Sequence, residues 1–595
     1  MGFGWFMNFL DRRVGLYQGG ILTAGYLVIA LLLTYPLIFH VTTHLPLGTE
    51  PAATVPLFNL WTLLWNTDRL AALYQGYWHA PIFFPTPGTF ALSEPQPLTG
   101  LLFTPVYRAT TNAVFAYNFV FLLNLTLNGI SAYCLARTIH TSRVSSFLTG
   151  ILAQTLPFVT NEWGVLQLTA VYPIFFTLTT LTKWSHHPTR KNALLLAIWG
   201  SAVFWTSVYY GLFLVLFVGL YGVLLLTHTI VNVVKVRKKS SFQRQKLGFA
   251  FQERIATGLL ILGIIALLLF PMIAGQLRYT AGYSRSESTI QSNSAQLIDY
   301  ARLGSRALGS QVPWLAQDGG SGQRLYPGTG LIILGMLGAI VGVWRGNRWW
   351  VLYALLSSVV AFLLSLGLNW MIGEVQPYQW VREYLSGYRQ LRSPFRLAIF
   401  VQIFLVSLSP FTLDAIGRGF IYRGNLHWVR GRPQGSPLQQ GLAIVVVGLA
   451  IVEVLAFPAR LYAVPPTTFE AEWIAWFRTQ PPGAAVVVPF VEGSRASNYQ
   501  ATTIAMIQTL SHHHPLANGY SGFFPDRHDN LKSQMQDFPS SASITTLQAM
   551  GVQYIIVHRE WEFLPALSQW QNLEEAYRDR EVVIFTIMAT SPSPP

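Results

Sequence analysis

The sequence predicts a mostly α-helical membrane protein: a polytopic bundle of about eleven spans, amino terminus inside and carboxyl terminus outside, with a small extracytoplasmic α/β domain at its C-terminal end. Three observations lead there. The 595 residues are 52% hydrophobic and only 11% charged, a composition suited to lipid rather than water. Apolar stretches of spanning length recur along the chain. Lys and Arg crowd into every second connection, the bias that orients helices joined by short loops.

After Arg12 and Arg13 the first span covers 20–41. No small-residue cleavage site follows, so it reads as a span and not a signal peptide. Spans at 112–136, 144–160 and 165–181 come next. The run 193–231 exceeds one crossing, and Thr206-Ser207 followed by Tyr209-Tyr210-Gly211 predicts a tight outward turn in its middle. The remaining spans are 255–272, 328–344, 350–368, 397–416 and 441–458. Inward connections then carry Arg137 and Arg143, Lys183 to Lys191, Lys235 to Arg254, Arg345 and Arg348, and Arg418 to Arg432.

The net charge of +14 needs no nucleic acid, because anionic lipid headgroups are the expected counter-charge for those loops. The single cysteine, Cys134, excludes a disulfide framework and a thiolate metal cluster.

Two domains are expected, 1–458 in the membrane and 459–595 outside it. Three outward segments, 42–111, 274–327 and everything after Ala459, are too long for connectors, so function is sought on that face. In the last, 484–490 and 553–558 read as buried strands and 581–588 as a third. Helical patterns at 469–478, 499–510 and 544–550 alternate with them. His512-His513-His514 invites a metal reading, but three successive residues in an extended segment cannot converge on one ion.

The first outward segment holds Glu50-Pro51, Asn59-Leu60-Trp61, Phe83-Phe84-Pro85 and Ser93-Glu94, and Tyr117-Asn118 follows in the second span. Leu391-Arg392-Ser393-Pro394-Phe395-Arg396 and Asn518-Gly519-Tyr520-Ser521-Gly522 complete the pattern. With these motifs the chain resembles the GT-C superfamily of membrane glycosyltransferases, and most of all bacterial members with a C-terminal periplasmic domain. The resemblance implies a polyprenyl-phosphate sugar donor, membrane lipids as partners, an extracytoplasmic acceptor and a place in the bacterial inner membrane. Glu50 stands where those relatives most often carry Asp.

A carboxylate at the outer membrane surface can take the proton from an acceptor hydroxyl as it attacks an anomeric carbon, or can coordinate a divalent metal that bridges a donor phosphate. Glu50 is the first catalytic candidate and Glu94 the second. A divalent metal stays open and no other cofactor is expected. Asp68, followed by Arg69, reads as a solvated pair. Asn59, Trp61 and Glu162 are candidate substrate-binding residues, together with Arg278, Arg285, Arg392 and Arg396. The forked guanidinium donors of these arginines suit phosphate oxygens. The competing reading has them snorkelling to headgroups or pairing with Glu374 and Glu383.

Gln167, where the family often has His, reads as packing. Asp414 and Glu453 lie in apolar spans and require partners there. A second function fits the same chain: a non-catalytic scaffold, or a lipid or polymer transport subunit of a larger assembly, that keeps a transferase-like fold.

Overall fold

The computed structural model describes residues 16–236, 241–304, 306–311, 322–418, 437–567 and 569–588. Arg12, Arg13, Arg237, Lys238, Lys239, Arg423, Arg430 and Arg432 lie outside the described residues. Among the described residues six helices are long and apolar enough to cross a membrane: Ala113–Thr138, Val208–Val231, Gln252–Thr280, Arg348–Ser365, Pro394–Arg418 and Pro437–Val454. Gln18–Leu33 and Thr329–Trp344 are shorter apolar helices. The chain is an integral membrane protein.

The break expected inside 193–231 is present. One helix ends at Thr206, Ser207 is extended (φ −145°, ψ 122°), and the next starts at Val208. The spans expected at 144–160 and 165–181 are instead divided into Arg143–Gln154, Pro157–Asn161, Leu166–Thr169 and Tyr172–His186. Pro157 and Pro173 explain this. Proline lacks an N–H and clashes with the preceding turn, so each sits in the first turn of a new helix instead of inside a long one.

Helix Ala398–Arg418 is the buried centre of the bundle. Against it, Gly338 of helix Thr329–Trp344 sits so close that a Cβ there would lie 2.1 Å from the Leu408 carbonyl oxygen, the small-residue approach that membrane helices use. Helix Ser241–Thr280 instead exposes Leu259, Leu262, Leu267 and Phe270, a surface made for lipid.

Both acids inside apolar spans have found partners. Asp414 accepts from Arg345 at 2.5 Å, from Arg418 at 3.1 Å and from the Ser142 N–H at 3.0 Å. Glu453 caps the neighbouring helix, accepting from the N–H of Thr329 at 3.0 Å, its hydroxyl at 2.6 Å and the N–H of Gly330 at 3.2 Å. A carboxylate there satisfies free N–H groups and faces the positive end of the helix dipole.

A short antiparallel ribbon ties the two ends of the bundle sequence together. Strand β1 (His44–Leu47), just past the first helix, pairs with β2 (Arg460–Ala463), just past the last. The first long loop and the C-terminal domain therefore lie at one end of the bundle. Asn118 anchors this join, donating to the carbonyls of Val41 at 2.8 Å and His44 at 2.7 Å.

The C-terminal domain carries β3 (Ala484–Val488), β4 (Val552–His558), β5 (Leu573–Arg578) and β6 (Val582–Ile587) in spatial order β3-β4-β6-β5. Strands β3 and β4 are parallel and the other pairs antiparallel. Helices Gln500–His512, Asp526–Gln534 and Ser541–Met550 lie between β3 and β4. The His512-His513-His514 tract is structural: His514 hydrogen-bonds the carbonyls of Gly483 and Phe477 and stacks 3.9 Å from the Phe477 ring. Burial pushes His512 down to about 3.

Candidate functional site

Where the first loop, the bundle and the C-terminal domain meet, they enclose a cavity of about 400 Å³. Glu94 lines it, held by three donors. Its Oε1 accepts from the Ser207 hydroxyl at 2.8 Å and from the Tyr209 N–H at 3.1 Å, and its Oε2 accepts from Gln167 at 3.0 Å. The break at Ser207 is what makes this possible, since it opens a helix N-terminus whose free N–H groups favour an anion.

Opposite stand arginines. Arg392 is exposed to the cavity, and its backbone N–H donates to the Tyr209 hydroxyl at 2.9 Å. The Arg396 guanidinium lies 4.6 Å over the Tyr209 ring, and its buried Nε has no hydrogen-bond partner among the described residues. Arg285 stacks 3.6 Å over Phe523 and donates to the Gly522 carbonyl. Burial lowers it to about 10, still charged at neutral pH. Gln167 and Gln390 line the same cavity, and each has a buried amide oxygen without a donor among the described residues.

The C-terminal domain closes one side. Tyr520, Ser521, Gly522 and Phe523 line the cavity, and two sequence motifs far apart in the chain clasp each other to hold them there. The Phe83 N–H donates to the Asn518 carbonyl at 3.1 Å, and the Phe84 N–H to the Leu516 carbonyl at 2.8 Å. A Cβ on Gly519 would lie 2.6 Å from the Phe83 ring, so only glycine admits this approach. Asn518 in turn spans Val487 of β3, accepting from its N–H at 2.7 Å and donating to its carbonyl at 2.9 Å.

Of the other candidates Asn59 lines the cavity, whereas Glu50, Glu162, Trp61 and Arg278 fall outside its lining. Glu50 sits behind it, accepting from the Gly48 N–H at 2.7 Å and packed against Gly164. Asn59, which does line the cavity, bridges the two layers by donating to the Gly164 carbonyl at 3.4 Å and accepting from Gln96 at 2.8 Å. Burial and the neighbouring Glu162 carboxylate push Glu50 up to about 7. Glu162 is itself raised by burial, with the positive charges of Arg396 and Arg392 opposing the shift. Trp61 is buried against Phe58 at 5.6 Å and Phe90 at 5.9 Å. Arg278 is exposed, 5.6 Å over the Tyr279 ring and away from the cavity.

Sequence reasoning overlooked Ser207, Tyr209 and Gln390 as site residues and read Gln167 as packing. The Ser207-Val208-Tyr209 break was visible, but nothing local shows that an acid from another loop would sit on it. No three His, Cys, Asp or Glu side chains are assembled to hold a metal among the described residues, and no step below runs through one. Arg382 pairs with Glu287 at 3.4 Å. Asp68 pairs with Arg69 at the surface.

No family model and no curated protein matches the chain. Among solved structures, the arabinofuranosyltransferase AftD from mycobacteria aligns with 96% of this chain at 12% identity and a TM-score of 0.54. A mutant form of it aligns over the same share at 14% identity and 0.55. This chain spans 40% of the length of AftD. The oligosaccharyltransferase AglB from Archaeoglobus fulgidus aligns with 90% of this chain and 69% of its own length at 12% identity and a TM-score of 0.48. What the chain shares with AftD is the overall fold.

Proposed function

We propose that this protein is an inverting glycosyltransferase that moves a sugar from a polyprenyl-phosphate donor to an acceptor outside the cytoplasm, with the cavity on the extracytoplasmic face of a bacterial inner membrane. One observation carries the reading. The Glu94 carboxylate, fixed by three donors, shares a single cavity with Arg285, Arg392 and Arg396.

The cavity suits a lipid phosphate at both ends of the molecule. Ile273 and Leu277, on the helix with the lipid-facing surface, contribute an apolar wall where a polyprenyl chain would lie. Arg392 and the unpartnered Nε of Arg396 offer donors for phosphate oxygens. The free amide oxygens of Gln167 and Gln390 are acceptors for sugar hydroxyls, which would otherwise leave these groups buried at a cost.

In this mechanism the acceptor hydroxyl attacks the anomeric carbon while Glu94 takes its proton. The bond from that carbon to the phosphate oxygen breaks, and the arginines stabilise the charge that develops on the departing phosphate. Glu50 acts from behind, holding the Gly48 to Gly164 wall on which Asn59 rests. The C-terminal domain closes the site and presents Tyr520 to Phe523 to the acceptor.

The test is a structure of the full chain in nanodiscs loaded with polyprenyl phosphate. Phosphate density within hydrogen-bonding reach of Arg392 or Arg396 is the expected result. Phosphate bound elsewhere, with the cavity left to protein and water, rejects the reading.

A further inference from the structure

A second cavity, of about 270 Å³, lies at the opposite end of the bundle. Helix Val208–Val236 connects the two: Tyr209 lines the first and His228 the second, nineteen residues and so about 28 Å along one helix.

The second cavity is lined by one guanidinium and by imidazole and aromatic rings. His140, His186, His228 and Arg254 line it with Trp350 and Tyr353, and no carboxylate is among its lining residues. Arg254 donates to the Ser185 carbonyl at 2.9 Å and the Thr229 hydroxyl at 3.3 Å. Its buried Nε has no partner among the described residues, nor do Trp350 Nε1 and the Tyr353 hydroxyl. Three buried donors around one space, one of them on a guanidinium with no acid to neutralise it, define an anion site. The arrangement does not fit a metal, since the arginine would repel one.

Exposed side chains flank this cavity. Trp349, on which His228 packs at 4.7 Å, is exposed. So are Val223 and Leu226 on one flanking helix and Leu352 and Leu356 on the other.

We propose that this cavity binds the phosphate group of an anionic amphiphile, with Arg254, Trp350 and Tyr353 as donors and the chains lying in the groove between helices Val208–Val236 and Arg348–Ser365. The site is separate from the glycosyl-transfer cavity and does not depend on that reading.

The experiment measures binding of dioctanoyl phosphatidylglycerol, and separately of inorganic phosphate, to the purified full-length protein in neutral detergent. Losing one charge-assisted contact weakens binding about tenfold, so Arg254→Gln is expected to do this to the lipid. Trp349→Ala, at the exposed mouth, is expected to weaken the lipid and spare inorganic phosphate. If instead phosphate competes fully and Trp349→Ala changes neither ligand, the same Arg254 site serves a free phosphate. Wild-type binding in both Arg254→Gln and Trp349→Ala, or no saturable binding of either ligand to the wild type, overturns the proposal.

Discussion

Glu94 Oε1 lies 2.8 Å from Ser207 Oγ, so a carboxylate from the first long loop seals the gap between helix Arg190–Thr206 and helix Val208–Val236. Removing that hydroxyl leaves the backbone N–H of Tyr209 and the side-chain amide of Gln167 to hold the acid. Ser207→Ala is therefore expected to slow sugar transfer by about threefold to tenfold, the range for one net hydrogen bond. The KM for the lipid donor should stay nearly constant, as initial-rate assays in membranes would show.

Arg392 and Arg396 meet the donor phosphate in the proposed reading. Arg392→Gln and Arg396→Lys should each lower kcat/KM for a polyprenyl-phosphate sugar about tenfold, because a neutral amide lacks the charge and a point-charge ammonium does not replace a planar fork. Unchanged kcat/KM in both variants would contradict this placement.

Glu50 gives a pH signature of its own. Its carboxyl is pushed up to about 7 by burial and by Glu162, above the 4.5 taken as its ordinary value. The native state therefore holds a proton that the unfolded chain releases first, and stability falls as pH rises from about 4.5 through about 7. The apparent Tm of the detergent-solubilised protein should drop across that window, and the drop should be smaller in Glu50→Gln. Parallel Tm profiles for the two proteins would reject the assignment.

Two acids give opposite outcomes in stability. Asp414 is buried with Arg345 and Arg418 around it, and Asp414→Asn takes the acid from two partly exposed cations, at a cost on the order of 1–3 kcal/mol. Asp68→Asn, at the exposed pair with Arg69, costs about 0–1 kcal/mol. Thermal scans should show a large fall for the first and almost none for the second.

Much of this was readable before the structure. The turn at Thr206-Ser207, the interior strands at Ala484–Val488 and Val552–His558, and the need of Asp414 and Glu453 for partners all follow from local patterns of apolar and polar residues. Strand β5 was not, because Leu-Glu-Glu-Ala-Tyr-Arg is an edge strand whose charges face water. The split of 144–181 into short helices depends on Pro157 and Pro173, whose effect on long apolar runs the span length hides. The recess of Glu50 and the three-donor seat of Glu94 are long-range facts: Glu94 and Gln167 are 73 positions apart and Glu94 and Ser207 113. No periodicity carries that information, whereas the clasp of Phe83 and Phe84 with Leu516 and Asn518 at least left both motifs visible.

Sugar transfer by single carboxamide variants in membranes supplied with a polyprenyl-phosphate sugar tests the central claim most directly. Glu94→Gln is predicted to lose about 100-fold or more of the wild-type rate, the scale of a general base, while Glu50→Gln keeps at least about a tenth of it. A wild-type rate in Glu94→Gln, or abolition by Glu50→Gln alone, would contradict the account.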